Sequence, residues 1–209
     1  MQPTNIVREP VMAQSLAGGV SRVGLWVGVI GMVLALVLGM FEDDHMRHFY
    51  WAYLIAYGYV FTLTMGGMFF VLVQQVVGAK WSVSVRRLAE FAMNTVPLLA
   101  VGAIPLLYPL LTHTGTEEFG GLLWPWIHPH GEHAALVAGK APFLNVGFFI
   151  GRMVFYLACW WLVSRFFMKR SLAQDADGSE HHTVAMRKAS GPSIILFALT
   201  LSFASFDWL

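Results

Sequence analysis

Five long apolar runs with few or no charges are the feature that most constrains how this chain can fold. A helix needs about 20 apolar residues to cross the roughly 30 Å hydrocarbon core of a bilayer. The runs predict helices at about 22–42, 49–78, 88–111, 142–168 and 190–209. We therefore predict an all-α, polytopic transmembrane helix bundle that forms a single domain over residues 1–209.

The composition agrees with a membrane protein and excludes other classes. Charged residues make up 12% of the chain and hydrophobic residues 57%, whereas soluble domains carry about 25% charged residues. A formal net charge of +1 provides no basic surface, so nucleic acid is excluded as a partner. Because Cys159 is the single cysteine, the chain has no disulfide framework or cysteine-rich metal cluster of its own.

Lysine and arginine are concentrated in alternate connecting segments, and this bias predicts the orientation of the helices. The N-terminal tail, the segment after the second run and the segment 169–189 carry most of them. The opposite side has only Arg47 and Lys140. We predict a cytoplasmic N-terminus, a periplasmic loop at 112–141 and a flexible cytoplasmic loop at 169–189.

Arg152 and Asp207 lie inside predicted helices and are candidate functional residues. The rise of an α-helix places both at similar depth in two antiparallel helices, so the side chains are within reach of each other. An ionisable residue in a span is a functional hypothesis by default, here a station on a proton or quinone path. A structural ion pair between the two helices is the alternative that we favour.

Glu90 stands at the predicted cytoplasmic end of the third helix. Arg86 and Arg87 precede it at the helical spacing that allows ion pairs. A solvated helix end is the simpler interpretation, and a proton entry point is the other.

Glycine and proline give packing signals in the second and third runs. The pair Gly66-Gly67 predicts a flat surface on which another helix can approach closely. Pro97, Pro105 and Pro109 predict a kinked third helix that ends near Pro109.

The histidine positions argue against a haem held between helices of this chain. Membrane haem needs histidine ligands that project from facing helices, and none of the eight histidines lies in the middle of a predicted span. His128, His130 and His133 in the 112–141 loop are weak candidates for a metal site. Their spacing is not that of a helical metal site, so we predict no metal there.

Three segments carry a family resemblance. They are TMGGMFFVLVQQVVGAKWSVSVRRLAE at 64–90, GKAPFLNVGFFIGR at 139–152 and SFDWL at 205–209. In order and spacing they resemble the ActF family, the NrfD-like (polysulfide-reductase-like) membrane subunits of alternative complex III. The chain is similar to the N-terminal half of such a subunit, and we expect a fragment, a split gene or a partial chain.

The resemblance implies an NrfD-like four-helix bundle plus one flanking helix in the bacterial cytoplasmic (inner) membrane. It implies a non-catalytic subunit of a respiratory quinol:electron-acceptor oxidoreductase, which holds no cofactor itself, scaffolds the assembly and contributes to a proton pathway. The polar motif positions of the family fall on Arg86, Arg87, Glu90, Lys140, Asn145, Arg152 and Asp207.

The resemblance also implies the partners. They are an NrfD-like sister subunit that binds the quinol, an iron–sulfur/molybdopterin-like subunit and multihaem cytochrome c subunits. A terminal oxidase docks alongside, and lipids surround the helices. Haem c and the iron–sulfur clusters are therefore expected in the partner subunits.

Two other functions stay open. An independent transporter or channel would show inverted repeats with helices broken near the membrane midplane, and the proline-rich third run is the one hint of this. An accessory protein like subunit III of a terminal oxidase would also be a cofactor-free helix bundle.

Overall fold

The computed structural model describes the backbone of residues 13–41, 47–79, 83–111, 123–124, 126 and 133–208. The helices are α1 (Ala13–Met40), α2 (Arg47–Val77), α3 (Val83–Met93), α4 (Val96–Gly102), α5 (Ile104–Leu111), α6 (His133–Gly139), α7 (Val146–Asp177) and α8 (Glu180–Trp208). No strand occurs within these ranges. Within the described part of the chain, five helical segments are long and apolar enough to cross a membrane, so the predicted all-α polytopic membrane fold is confirmed.

The chain divides into two compact units, residues 1–49 and residues 50–209. The first unit contains α1, whose apolar span covers Gly18–Met40. The second unit contains α2 from Tyr50 onward together with α3 to α8. All of the contacts discussed below lie within the second unit.

Four helical segments of the second unit, namely α2, the α3–α5 series, α7 and α8, share one apolar core. Met68, Leu72, Met93, Trp160 and Phe167 are among its fully buried side chains. Close van der Waals packing between such side chains holds membrane helices together, because lipid tails are as apolar as the core and burial alone adds little stability.

The pair Gly66-Gly67 contributes one close helix contact. A Cβ atom at Gly67 would lie 2.9 Å from both the Ala89 carbonyl oxygen and the Ala92 Cβ of α3. A Cβ atom at Gly66 would meet nothing within 4 Å. Only the second glycine of the pair therefore brings α2 and α3 together.

The third span is divided into α3, α4 and α5. Pro97 and Pro105 lie in the first turns of α4 and α5, where the missing N–H of proline costs little. The Leu99 N–H donates to the Thr95 carbonyl at 3.1 Å, so the helical path continues across the break. Pro109 lies inside α5, whose last residue is Leu111, two residues beyond the proline.

The connection between the last two spans differs from the expected loop at 169–189. α7 continues to Asp177 and α8 begins at Glu180. Gly178 adopts a left-handed conformation with φ of 66°, and its N–H binds the Gln174 carbonyl at 2.8 Å, which ends α7. The charged residues of this segment extend the two helices instead, because Lys, Arg, Glu and Gln are good helix formers in water.

The helix expected from residue 142 also differs at its start. α7 begins at Val146, and the Asn145 side-chain oxygen accepts the Phe148 N–H at 2.8 Å as its N-cap. Pro142 lies in the preceding turn, where its carbonyl accepts the Asn145 side-chain N–H at 3.0 Å. The side-chain cap, rather than the proline, therefore fixes the start of the helix.

Candidate functional site: two charge clusters and a histidine turn

Arg152, Tyr156 and Asp207 form a buried ion-pair cluster between α7 and α8, named here the Asp207 cluster. Arg152 donates from Nη2 to Asp207 Oδ1 and from Nε to Asp207 Oδ2, both at 2.8 Å. The Tyr156 hydroxyl donates to Asp207 Oδ2 at 2.9 Å. The side chains of Arg152 and Asp207 are only 12% and 3% exposed. Arg152 and Asp207, which were predicted to be within reach of each other, thus form a bidentate ion pair that is mostly buried.

The remaining faces of the Arg152 guanidinium are also occupied. Its central carbon lies 3.9 Å from the centre of the Phe143 ring and 4.4 Å from that of Phe148. Its Nη1 donates to the Phe143 carbonyl at 3.1 Å. Cation–π contacts of this kind stabilise a desolvated cation. The guanidinium is therefore fixed by the turn before α7 as well as by α8.

A second polar group, named here the Glu90 cluster, joins α3 to α7. Glu90 is 1% exposed; its Oε2 accepts from Arg87 Nη1 at 2.9 Å and from the Ser171 hydroxyl at 2.8 Å. Arg86 Nε lies 3.3 Å from Glu90 Oε1, and Arg87 Nη2 also pairs with Asp175. The pairing expected from the sequence is present, but the carboxylate is buried between helices and is not a solvated helix end.

The two clusters lie far apart along α7. Arg152 and Ser171 are nineteen residues apart in one continuous helix, which corresponds to roughly 28 Å at about 1.5 Å per residue. This separation is close to the roughly 30 Å thickness of the hydrocarbon core. The clusters therefore join neighbouring helices near opposite ends of a bilayer-thick bundle.

Buried hydroxyl groups between the clusters are bonded to helix backbone. The Ser164 hydroxyl donates to the Met93 carbonyl at 3.0 Å. Trp160 Nε1 donates to Thr200 Oγ1 at 2.9 Å, and Thr200 donates to the Leu196 carbonyl at 2.7 Å. An indole N–H can donate a hydrogen bond but cannot accept one. These groups stabilise helix packing and do not form a side-chain relay from one cluster to the other.

Of the remaining predicted positions that the structure describes, Lys140 takes no part in either cluster. Lys140 is exposed in the turn before α7, where its carbonyl accepts the Leu144 N–H at 2.8 Å. His128 and His130 lie outside the described residues, and only the backbone of His133 is described, as the first residue of α6.

An apolar cavity of about 410 Å³ lies among α2, α5, α7 and α8. Its lining includes Tyr57, Phe61, Met153, Leu201 and Trp208. Such a lining suits a hydrocarbon chain better than a charged ligand, because an unpaired charge would be desolvated there.

Asp177, His181 and His182 form a cluster that the sequence reasoning missed. One potential ligand atom from each lies within 4.8 Å of the others. Two adjacent histidines four and five residues after an aspartate are a weak signal in sequence, and the expected loop at 169–189 concealed the geometry. The short turn at Gly178 brings the three residues together.

Scanned against models of protein families and compared with curated proteins, the chain gives no match.

Proposed function

We propose that this chain is a cofactor-free membrane subunit that scaffolds a respiratory quinol:electron-acceptor oxidoreductase of the alternative complex III type. The proposal includes the partners and the bacterial inner-membrane location that the resemblance implies, with the N-terminus in the cytoplasm. The subunit itself is non-catalytic. Quinol oxidation belongs to the sister subunit, and the haem c and iron–sulfur groups belong to the partners.

The observation that carries the proposal is that the charged motif residues bind residues of neighbouring helices. Glu90 and Arg87 both bind Ser171 and so tie α3 to α7, and Arg152 and Asp207 tie α7 to α8. Glu90 Oε2 and the Asp207 carboxylate each accept hydrogen bonds from an arginine and from a hydroxyl group. Such pairs hold helices in fixed register, which is the contribution of a scaffold.

A contribution to a proton pathway is the weaker part of the proposal. The hydroxyls between the clusters donate to backbone carbonyls, and Trp160 is a donor only. Proton transfer through these side chains from the Glu90 cluster to the Asp207 cluster would thus be interrupted. We therefore propose that the main role of the two clusters is to stabilise the assembly, with proton transfer second.

A transporter is the second candidate, because the third span is broken into α3, α4 and α5. Transporters use broken helices to expose backbone groups to a substrate. Here the N–H groups of Leu99, Ala103 and Leu107 still bind carbonyls four residues back, at 2.9 to 3.1 Å. These three N–H groups are therefore not available to a substrate, and the scaffold is favoured.

The test is gentle purification of the native membrane assembly through this chain, followed by haem spectroscopy and mass spectrometry. Co-purifying multihaem cytochrome c and iron–sulfur subunits would support the proposal. A colourless assembly of this chain alone would overturn it and favour the transporter.

Variants separate the scaffold from the proton pathway. Arg152→Ala or Asp207→Ala should reduce the haem recovered per subunit, because the tie between α7 and α8 is lost. Lys140→Ala is the matched control, since this exposed cation belongs to the same motif segment but to neither cluster. Normal assembly of both cluster variants with loss of proton-coupled turnover would refute the scaffold role.

A further inference from the structure

We propose that the turn between α7 and α8 binds a divalent transition-metal ion through Asp177, His181 and His182, named here the turn triad. Asp177 is the last residue of α7, and the two histidines occupy the first turn of α8. Two imidazoles and one carboxylate form a donor set that Zn²⁺ and its first-row neighbours bind. This inference does not rest on the proposed function.

Ser179 already orients two of the three ligands. Its backbone N–H donates to Asp177 Oδ1 at 2.8 Å, which turns Oδ2 toward His182 Nε2 at 3.0 Å. Its hydroxyl lies 2.6 Å from His181 Nδ1, which leaves Nε2 of that ring as the ligand atom. Metal sites hold their ligands in this way, with a second hydrogen bond fixing each ring or carboxylate.

Small shifts separate the turn triad from coordination, and a bound ion would replace the direct contact of 3.0 Å between Asp177 Oδ2 and His182 Nε2. Bonds of about 2.0 to 2.2 Å in a tetrahedral zinc site place ligand atoms roughly 3.5 Å apart, and those of the triad lie within 4.8 Å of one another. Asp177 and His181 are exposed, so solvent and a metal ion can reach them, whereas His182 is buried between neighbouring side chains. Water can complete the coordination because the turn is exposed.

Arg170 weakens metal binding at the turn triad. Its Nη1 lies 3.4 Å from His182 Nδ1. A metal on Nε2 moves the ring proton to Nδ1, so two hydrogen-bond donors would then face each other. A cation beside the site also repels a dication. Arg170→Gln should therefore strengthen metal binding by about tenfold, because it removes the charge and supplies an oxygen that accepts the Nδ1 proton.

The experiment uses the full chain in detergent with a histidine-free affinity tag. After treatment with a chelator, Zn²⁺ is titrated by calorimetry and Co²⁺ by visible absorption, which reports its coordination geometry. The expected result is one equivalent bound with micromolar affinity. Asp177→Asn and His181→Ala should each weaken binding by at least about tenfold, the loss typical when a ligand or its support is removed.

Controls separate this site from other histidines. Glu180→Gln removes an acidic residue of the same turn that is outside the triad and should leave the affinity unchanged. A variant lacking the loop histidines should also keep it; its substitutions are His128→Ala, His130→Ala and His133→Ala. Gel filtration and circular dichroism without metal check that each variant is folded.

Three results would overturn the proposal. One is the absence of binding tighter than millimolar. Another is binding that disappears with the loop histidines and persists in folded Asp177→Asn and His181→Ala. The third is weaker binding in Arg170→Gln, because the geometry requires that arginine to oppose the ion.

Discussion

Breaking the Asp207 cluster should cost far more stability than removing it entirely. Asp207 accepts three hydrogen bonds, two from Arg152 and one from Tyr156, and its side chain is 3% exposed. Asp207→Leu leaves the guanidinium, itself only 12% exposed, with the Phe143 carbonyl as its remaining acceptor in the cluster. An uncompensated buried charge costs about 3–5 kcal/mol.

The matched change on the other side is Arg152→Met, which leaves the carboxylate buried with only the Tyr156 hydroxyl. We expect a loss of similar size, because the same pair is broken from the opposite end. The double variant removes both charges and keeps most of the volume. The decrease in the free energy of unfolding should therefore be well below the sum of the decreases in the two single variants, with a coupling energy of about 2 kcal/mol or more.

Unfolding in mixed micelles, titrated with a denaturing detergent, measures this cycle. Tryptophan fluorescence is a suitable signal, because Trp160 and Trp208 lie in the same bundle with ring centres 6.2 Å apart. The reasoning would be refuted by single losses under about 1 kcal/mol that simply add in the double variant, as is common for exposed pairs.

Three further changes test separate parts of the bundle by the same unfolding assay. Glu90→Gln should lower the free energy of unfolding by about 1–3 kcal/mol, since a buried carboxylate that pairs with two arginines loses its charge. A loss below about 0.5 kcal/mol, which is typical of a surface substitution, would contradict its buried role. Gly67→Ala should lower the free energy of unfolding by about 1–3 kcal/mol because its Cβ would crowd α3. Gly66→Ala should be neutral or slightly stabilising. Equal effects of the two substitutions would refute the contact assigned to Gly67. Asn145→Ala should lower the free energy of unfolding by about 1 kcal/mol through loss of the N-cap of α7. An unchanged or higher free energy of unfolding would contradict this role.

The sequence by itself determined the class of the protein and the position of its spans. Long apolar runs have few alternatives to membrane helices, because every backbone polar group must be satisfied within the segment. The near match in depth of Arg152 and Asp207 was also visible, since helical rise is constant. Local signals of this kind require no knowledge of neighbouring helices.

The interior of the bundle depended on tertiary structure. Gly66 and Gly67 are indistinguishable in sequence, yet only Gly67 meets α3, because helix rotation is set by packing against neighbours. Glu90 was expected at a solvated helix end, and it is buried because Ser171 of α7 lies over it.

The turn between α7 and α8 gives the same lesson. Its charged residues suit a loop or an extended helix equally well, and Gly178 decides between them by ending α7. Sequence spacing gives the identity of the nearby side chains, but their meeting depends on backbone conformation and on the packing of two helices. The turn triad could therefore be recognised only once the two helices were seen to join through two residues.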